Sequence, residues 1–328
     1  MYDRINTITV KTGNQAGSIA STFDAILAKP NGNAVGLPWQ LLINLRIALR
    51  QRNPNPWPYA QDSAGKVFYS DPWPPDEWSE FLDLAKRYAD WWNEKFWLKP
   101  PDSFIDGDVP LGGDVVWRPY INCQCVVQFN APNPHRTIEV VHLNAALEDS
   151  KQKRTSLGKM GPPFDRADGG TFRSCAAVWD SLDDIPALAM FEDANKNLHG
   201  TRTLTITHEV GHALGLDHIG VLKKVPLCAM ARALNWSIGG SDMPLIGGAN
   251  ADVCYGQWHW NTSLADDIMG MGPSFSDVDG LPWVWAMQQL RNRRDESWEV
   301  LLQDDHPEKG DYLMGDAGPG ARNSSGRP

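Results

Sequence analysis

The residues best suited to chemistry stand in one run, His208-Glu209-Val210-Gly211-His212-Ala213-Leu214-Gly215-Leu216-Asp217-His218. Residues four apart share a face of an α-helix, so His208 and His212 can present two imidazoles to one metal ion. Glu209 follows the first of them, where a carboxylate can reach a water at the metal without binding the metal, as a general base must. Gly215 can take the left-handed backbone that ends a helix, which lets His218 arrive from a loop as a third ligand. Three protein ligands leave one coordination position open, and an open position separates catalytic from structural zinc. The pattern HExxHxxGxxH fixes five positions and, at residue frequencies of a few per cent each, matches a chain of 328 residues by chance with a probability of about 10⁻⁵. Two histidines at helical spacing alone can simply be surface residues, so the glycine and the third histidine carry the discrimination.

On these residues the run resembles the zinc site of the metzincin clan of endopeptidases and is most similar to its matrixin branch. Further along, Asp267-Ile268-Met269-Gly270-Met271 resembles the clan's Met-turn, in which a methionine forms an apolar floor beneath the histidines. Met269 is assigned that place, with Met271 the alternative because the Met-Gly repeat is ambiguous. Phe275 to Gly280 then leads into Leu281, Val284, Trp285 and Leu290, spaced near helical period, which resembles the closing helix of matrixins, with Ser276 suited to cap it. The resemblance implies an α+β fold: a twisted mixed β-sheet backed by helices, a zinc helix, and a C-terminal subdomain with Met-turn and closing helix. It also implies one catalytic Zn2+ held by His208, His212 and His218, with Glu209 as base, and hydrolysis of peptide bonds in a protein or peptide substrate.

The chain departs from the clan in three places. Ile219 follows His218 where the branches carry a diagnostic residue, no tyrosine stands two residues after Met269, and no PRCGxPD-like pro-segment is present. Two other readings share the zinc residues: an amidase acting on a non-protein or cell-wall peptide amide, and a binding module that keeps the fold without cleaving. The intact Glu209 counts against the second, since purely structural zinc does not need that carboxylate.

The elements that must position this run are sketched by composition and periodicity. The 42% hydrophobic content allows a sizeable core, and the net charge of −10 argues against nucleic acid or an anionic membrane as partner. Acidity permits calcium as well, although no motif for it is present. No run of 18 apolar residues occurs, and Met1 to Asn6 lack the basic region and apolar run of a secretory signal, whereas the family resemblance implies an extracellular or exported protein. Of the five cysteines, Cys228 and Cys254 bracket the connection from zinc helix to Met-turn, where either a bracing disulfide or two buried thiols would serve. Fifteen tryptophans point to a core packed with large rings.

Residues 1–60 read as an N-terminal extension or small preceding element, 61–305 as the metzincin-like peptidase domain and 306–328 as a disordered tail. Ile5 to Val10 alternates like a strand, and Leu41 to Leu49 fits strand or helix. A helix capped by Asp76 is expected from Trp78, Phe81, Leu82, Ala85, Tyr88, Ala89 and Trp92, stopping by Pro100; it resembles a metzincin backing helix. Val115 to Phe129, Thr137 to Leu143 and Ser174 to Trp179 read as strands, one of which should be the edge that receives extended substrate. Residues 148–171 read as an exposed loop. His135, His142, His199, His259 and His306 lack ligand spacing with one another and read as surface or hydrogen-bonded histidines.

Overall fold

The computed structural model describes residues 2–32, 35–54, 60–61, 67–143, 178–181, 187–192, 198–237, 254–256, 262–270, 272–305 and 311–314. The fold is α+β, with few helices around one mixed sheet of nine strands. In chain order these strands are β1 (Tyr2–Lys11), β2 (Thr22–Pro30), β3 (Trp39–Gln51), β4 (Ser70–Asp71), β5 (Phe96–Lys99), β6 (Ile121–Phe129), β7 (Arg136–Leu143), β8 (Val178–Asp180) and β9 (Glu299–Leu302). The main path runs β1-β2-β3-β6-β5-β9, and β7 joins β3, β8 and β4. Strands β3 and β6 are parallel in the register Trp39↔Ile121 through Ile47↔Phe129, and β7 continues parallel to β3 from Arg136↔Ile47.

β3 shows why a run that fits either period becomes a strand. Leu41, Ile43, Leu45, Ile47 and Leu49 are all buried, so burial follows a period of two along the whole element, as a pleated strand requires. Residues 2–51, within the stretch read as an N-terminal extension or small preceding element, supply three adjacent strands of the central sheet. The split at residue 60 therefore does not separate two sheets.

Helix α1 (Pro75–Ala89) buries Phe81, Ala85 and Ala89, with Trp92 buried just beyond, and packs Trp78, Leu82 and Tyr88 against the same core. It begins before the expected cap: Pro74 is the N-cap and Pro75 the first helical residue, because proline brings a helical φ and no N–H to satisfy. Asp76 instead lies in the first turn, where its charge suits the helix dipole.

Two further expectations change. Val115 to Phe129 is two strands, Val115–Arg118 and β6, parted where Pro119 cannot donate to a ladder. Within the expected tail, Asp311–Met314 pairs antiparallel with Val115–Arg118 and closes a small sheet with Val109–Gly112. Residues 306–310 and 315–328, the loop expected over 148–171, and Ser174 to Ala177 lie outside the described residues. Among the described residues no helix is long and apolar enough to cross a membrane.

Candidate metal centre

His208 and His212 stand on α2 (Thr205–Ala213), a helix buried from Ile206 to Ala213. A surface helix has a polar face; this one is buried all round because α1, the sheet and the turn after it enclose it. Trp92 Nε1 donates to the Thr207 carbonyl at 2.8 Å, and Thr207 Oγ1 donates to the Tyr88 carbonyl at 2.9 Å, which ties α1 to the start of α2.

The helix ends in a Schellman motif. Leu216 N donates to Gly211 O at 3.0 Å and Gly215 N to His212 O at 2.9 Å, with Gly215 at φ +94°. Any side chain there would also meet Thr12, since a Cβ on Gly215 falls 2.5 Å from Thr12 Oγ1. The segment between β1 and β2 clasps the turn: Ile19 N donates to Gly215 O at 2.9 Å and Asp217 N to Gly17 O at 3.2 Å. The N-terminal strands thus help to deliver His218, which N-caps the short α3 (Ile219–Leu222).

The three histidines converge, with one ligand atom from each lying within 4.8 Å of the others. His208 Nδ1 donates to Ile268 O at 2.7 Å and His212 Nδ1 to Leu216 O at 2.7 Å. A carbonyl only accepts, so each of these rings carries a proton on Nδ1 and turns Nε2 toward the other histidines. His212 Nε2 and His218 Nε2 are 3.2 Å apart. Burial, reinforced by the neighbouring His212, lowers the His208 pKa to about 3, and burial with the charges of His212, His208 and Arg232 pushes His218 well below its ordinary value. Neutral imidazoles are the form that binds metal.

Glu209 is buried beside them, and its Oε2 has no hydrogen-bond partner. Burial raises its pKa, while His212 and Arg136 oppose that rise. Arg136 opens β7; its Nη2 donates to Ala20 O at 3.2 Å, and its buried Nη1, like Glu209 Oε2, is unpartnered.

Met269 is fully buried, and a Cβ built on Gly211 would lie 2.3 Å from its sulfur, so the methionine sits directly against the histidine helix. Its turn is tied to the site at both ends: Ile268 O receives His208, and Ile219 N donates to Met269 O at 2.9 Å. Asp267 Oδ1 accepts from Met269 N at 2.8 Å and fixes the turn from within. Met271 lies outside the described residues. Ser276 caps as expected, but through a 3-10 turn, Asp277–Gly280, in which Asp279 completes a capping box ahead of the closing helix (Leu281–Leu290).

Cys228, on the helix Pro226–Ser237, forms a disulfide with Cys254. Cys123 and Cys125 are buried free thiols on one face of β6, and Cys175 lies outside the described residues. Next to Cys254, the ring of Tyr255 lies 3.9 Å from that of His218, centroid to centroid. Neither Tyr255 nor Arg136 is legible from spacing, because both come from segments distant from the motif; only the neighbouring Cys254 marks Tyr255.

The remaining histidines are elsewhere. His135 Nδ1 accepts from Arg46 N at 3.0 Å, and His142 meets Glu77 Oε2 at 3.0 Å and the ring of Trp73. His259 and His306 lie outside the described residues, as does the side chain of His199. Three converging imidazoles beside an unpartnered buried carboxylate oxygen could hold an imidazole-preferring divalent cation such as zinc. Among the described residues no other group of three or more His, Cys, Asp or Glu side chains is placed to share a metal. Compared with protein-family models, with curated proteins and with solved structures, the chain matches none.

Proposed function

We propose that this protein is a zinc-dependent endopeptidase of metzincin type, most similar to the matrixins. The observation that carries the reading is the convergence of His208, His212 and His218 on one point beside the unpartnered Oε2 of Glu209. A binding module has no use for a buried carboxylate oxygen without a partner, since such an atom costs stability unless it works. Met269 against Gly211, and the capped helix after it, support the family reading.

Zinc held by the three imidazoles would supply a Lewis acid that polarises the scissile carbonyl and makes water acidic near neutral pH. The chain's own residues do the rest. Glu209 takes a proton from the attacking water at Oε2 and passes it to the nitrogen of the leaving amine. The oxygen of that water attacks the carbonyl carbon directly, so no bond to the chain forms. The Ile268 and Leu216 carbonyls hold His208 and His212 in the tautomer that leaves Nε2 free. The Cys228–Cys254 disulfide supports an oxidising, exported location.

The experiment is digestion of a diverse peptide library with and without a metal chelator, with zinc added back. Cleavage inside peptides that chelator stops and zinc restores is expected. A protein that binds zinc yet cuts no peptide would overturn the endopeptidase reading, and hydrolysis confined to non-peptide amides would favour the amidase.

A further inference from the structure

The three candidate ligands are not held alike. His208 and His212 each give Nδ1–H to a backbone carbonyl at 2.7 Å, which fixes the ring before any metal arrives. His218 has no such acceptor among the described residues: its nearest carboxylate, Asp217 Oδ1, is 3.7 Å from Nδ1 and accepts instead from the His218 backbone N–H at 2.8 Å. His218 is also the ligand on a loop and the most exposed of the three, its side chain 23% accessible. What lies against its ring is Tyr255, at 3.9 Å and inclined by 43°, with a second contact to His208 at 6.0 Å.

Tyr255 is itself tightly placed. It follows Cys254, whose disulfide reaches back to Cys228 on the helix after the His218 loop. It precedes Gly256, at φ +82°, where a Cβ would fall 2.5 Å from the backbone of Leu264. Its own carbonyl oxygen lies 2.8 Å from the Cβ position of Gly270 in the turn beside Met269. The segment is thus clamped between the disulfide, the helix Thr262–Ala265 and the methionine turn.

We propose that Tyr255 is the positioning residue of the third metal ligand: its ring, held by the Cys228–Cys254 disulfide, does for His218 what a backbone carbonyl does for His208 and His212. The inference rests on the metal-centre reading and adds that metal affinity depends on the disulfide. The contact on which the inference stands is between the two rings, so phenylalanine is expected to serve where an aliphatic residue is not. A ring that loses its support leaves His218 free to rotate off the metal, and losing one orienting partner of a ligand costs roughly 10- to 100-fold in metal affinity.

The test is zinc affinity of the full chain by competition with a chromogenic chelator, together with the visible absorption of the cobalt-loaded protein, which reports coordination without reference to catalysis. Tyr255→Phe is expected to keep wild-type affinity and spectrum. Tyr255→Leu is expected to weaken zinc roughly tenfold or more and to shift the cobalt bands, and the double change Cys228→Ser with Cys254→Ser is expected to move affinity the same way. Affinity within twofold of wild type for Tyr255→Leu overturns the inference whatever the cysteine variant does, and equal losses in Tyr255→Phe and Tyr255→Leu overturn the claim that the ring contact acts. A wild-type chain that binds neither zinc nor cobalt overturns the metal centre itself, while metal binding that ignores Tyr255 leaves the metal centre standing and removes only this inference.

Discussion

Gly211 and Met269 touch across the underside of the histidine helix, so closely that a Cβ on Gly211 would stand 2.3 Å from Met269 Sδ and 2.8 Å from Trp92 Cζ2. Helix propensity alone favours alanine over glycine there by about 1 kcal/mol. Overpacking a closed site costs about 1–3 kcal/mol, and here two buried side chains block the new methyl from different neighbours, so packing outweighs propensity. Gly211→Ala is expected to lower stability in urea titration. An unchanged or raised midpoint would mean that the contact yields freely.

Met269→Leu tests the other partner. Met269 is fully buried with its sulfur against Gly211, the three converging ligand atoms belong to histidines, and the volume is nearly conserved, so the change should cost less than about 1.5 kcal/mol and leave zinc content intact. Metal analysis and thermal melting report both quantities. Complete loss of zinc would contradict a packing role for Met269.

At the C-terminal end of the same helix, Gly215→Ala meets two obstacles, the left-handed φ of +94° and Thr12 Oγ1 at 2.5 Å. Alanine at a positive φ costs more than about 1 kcal/mol, and the strain falls on the turn that delivers His218. Both stability and zinc affinity should drop, unlike a substitution at an exposed residue, which should leave zinc untouched. Unaltered zinc affinity would separate the turn from ligand delivery.

Asp279 is fully buried near Asp267 behind the methionine turn, its Oδ2 accepting from Ser276 N at 2.7 Å and its Oδ1 unpartnered. Burial raises Asp267 to about 6, and burial with the charge of Asp267 pushes Asp279 well above its ordinary value. Both groups hold protons more tightly folded than unfolded. Their contribution to stability is therefore complete below about pH 4, the ordinary carboxyl range, and is lost as pH rises through 6 and beyond. Asp279→Asn keeps a neutral partner at every pH, so the stability difference between variant and wild type should grow in the variant's favour from pH 4 to 7. Denaturation midpoints at four pH values measure it, and a constant difference would show that burial does not raise the carboxyl of Asp279.

The three converging histidines are legible because an α-helix and a glycine stop turn spacing into geometry: four residues set one face, and Gly215 sets where the face ends. The chain's alternation likewise marked β1 and much of β7. What spacing cannot convey is contact between distant segments. Residues 2–51 look detached because their role, pairing with β6 and clasping the Gly215 turn, depends on partners about 80 to 200 residues away. Pro119 divides two strands that apolar content joins, and Asp311–Met314 hides a strand in a polar tail because its order comes from pairing with Val115–Arg118. Tyr255 and Arg136 reach the site in the same way, without any local pattern.

Glu209→Gln bears most directly on mechanism. Glu209 Oε2 is buried and unpartnered, and none of the three converging ligand atoms belongs to it, so glutamine should leave both fold and metal content in place. Glutamine keeps the size and hydrogen bonding of the side chain but cannot take a proton at neutral pH, which separates shape from chemistry. General-base catalysis contributes roughly 10²- to 10⁴-fold, and in the proposed mechanism the same carboxylate would also return the proton to the leaving amine, so the loss of kcat/KM should fall at or above the top of that range. KM should change little, because in the proposed mechanism Glu209 would act on the water rather than on the peptide. Rates of peptide cleavage, zinc content and thermal melting on the same preparations decide the matter. A glutamine variant that holds zinc and cleaves within tenfold of the wild-type rate would remove Glu209 from the role of base and, with it, the mechanism built on the three histidines.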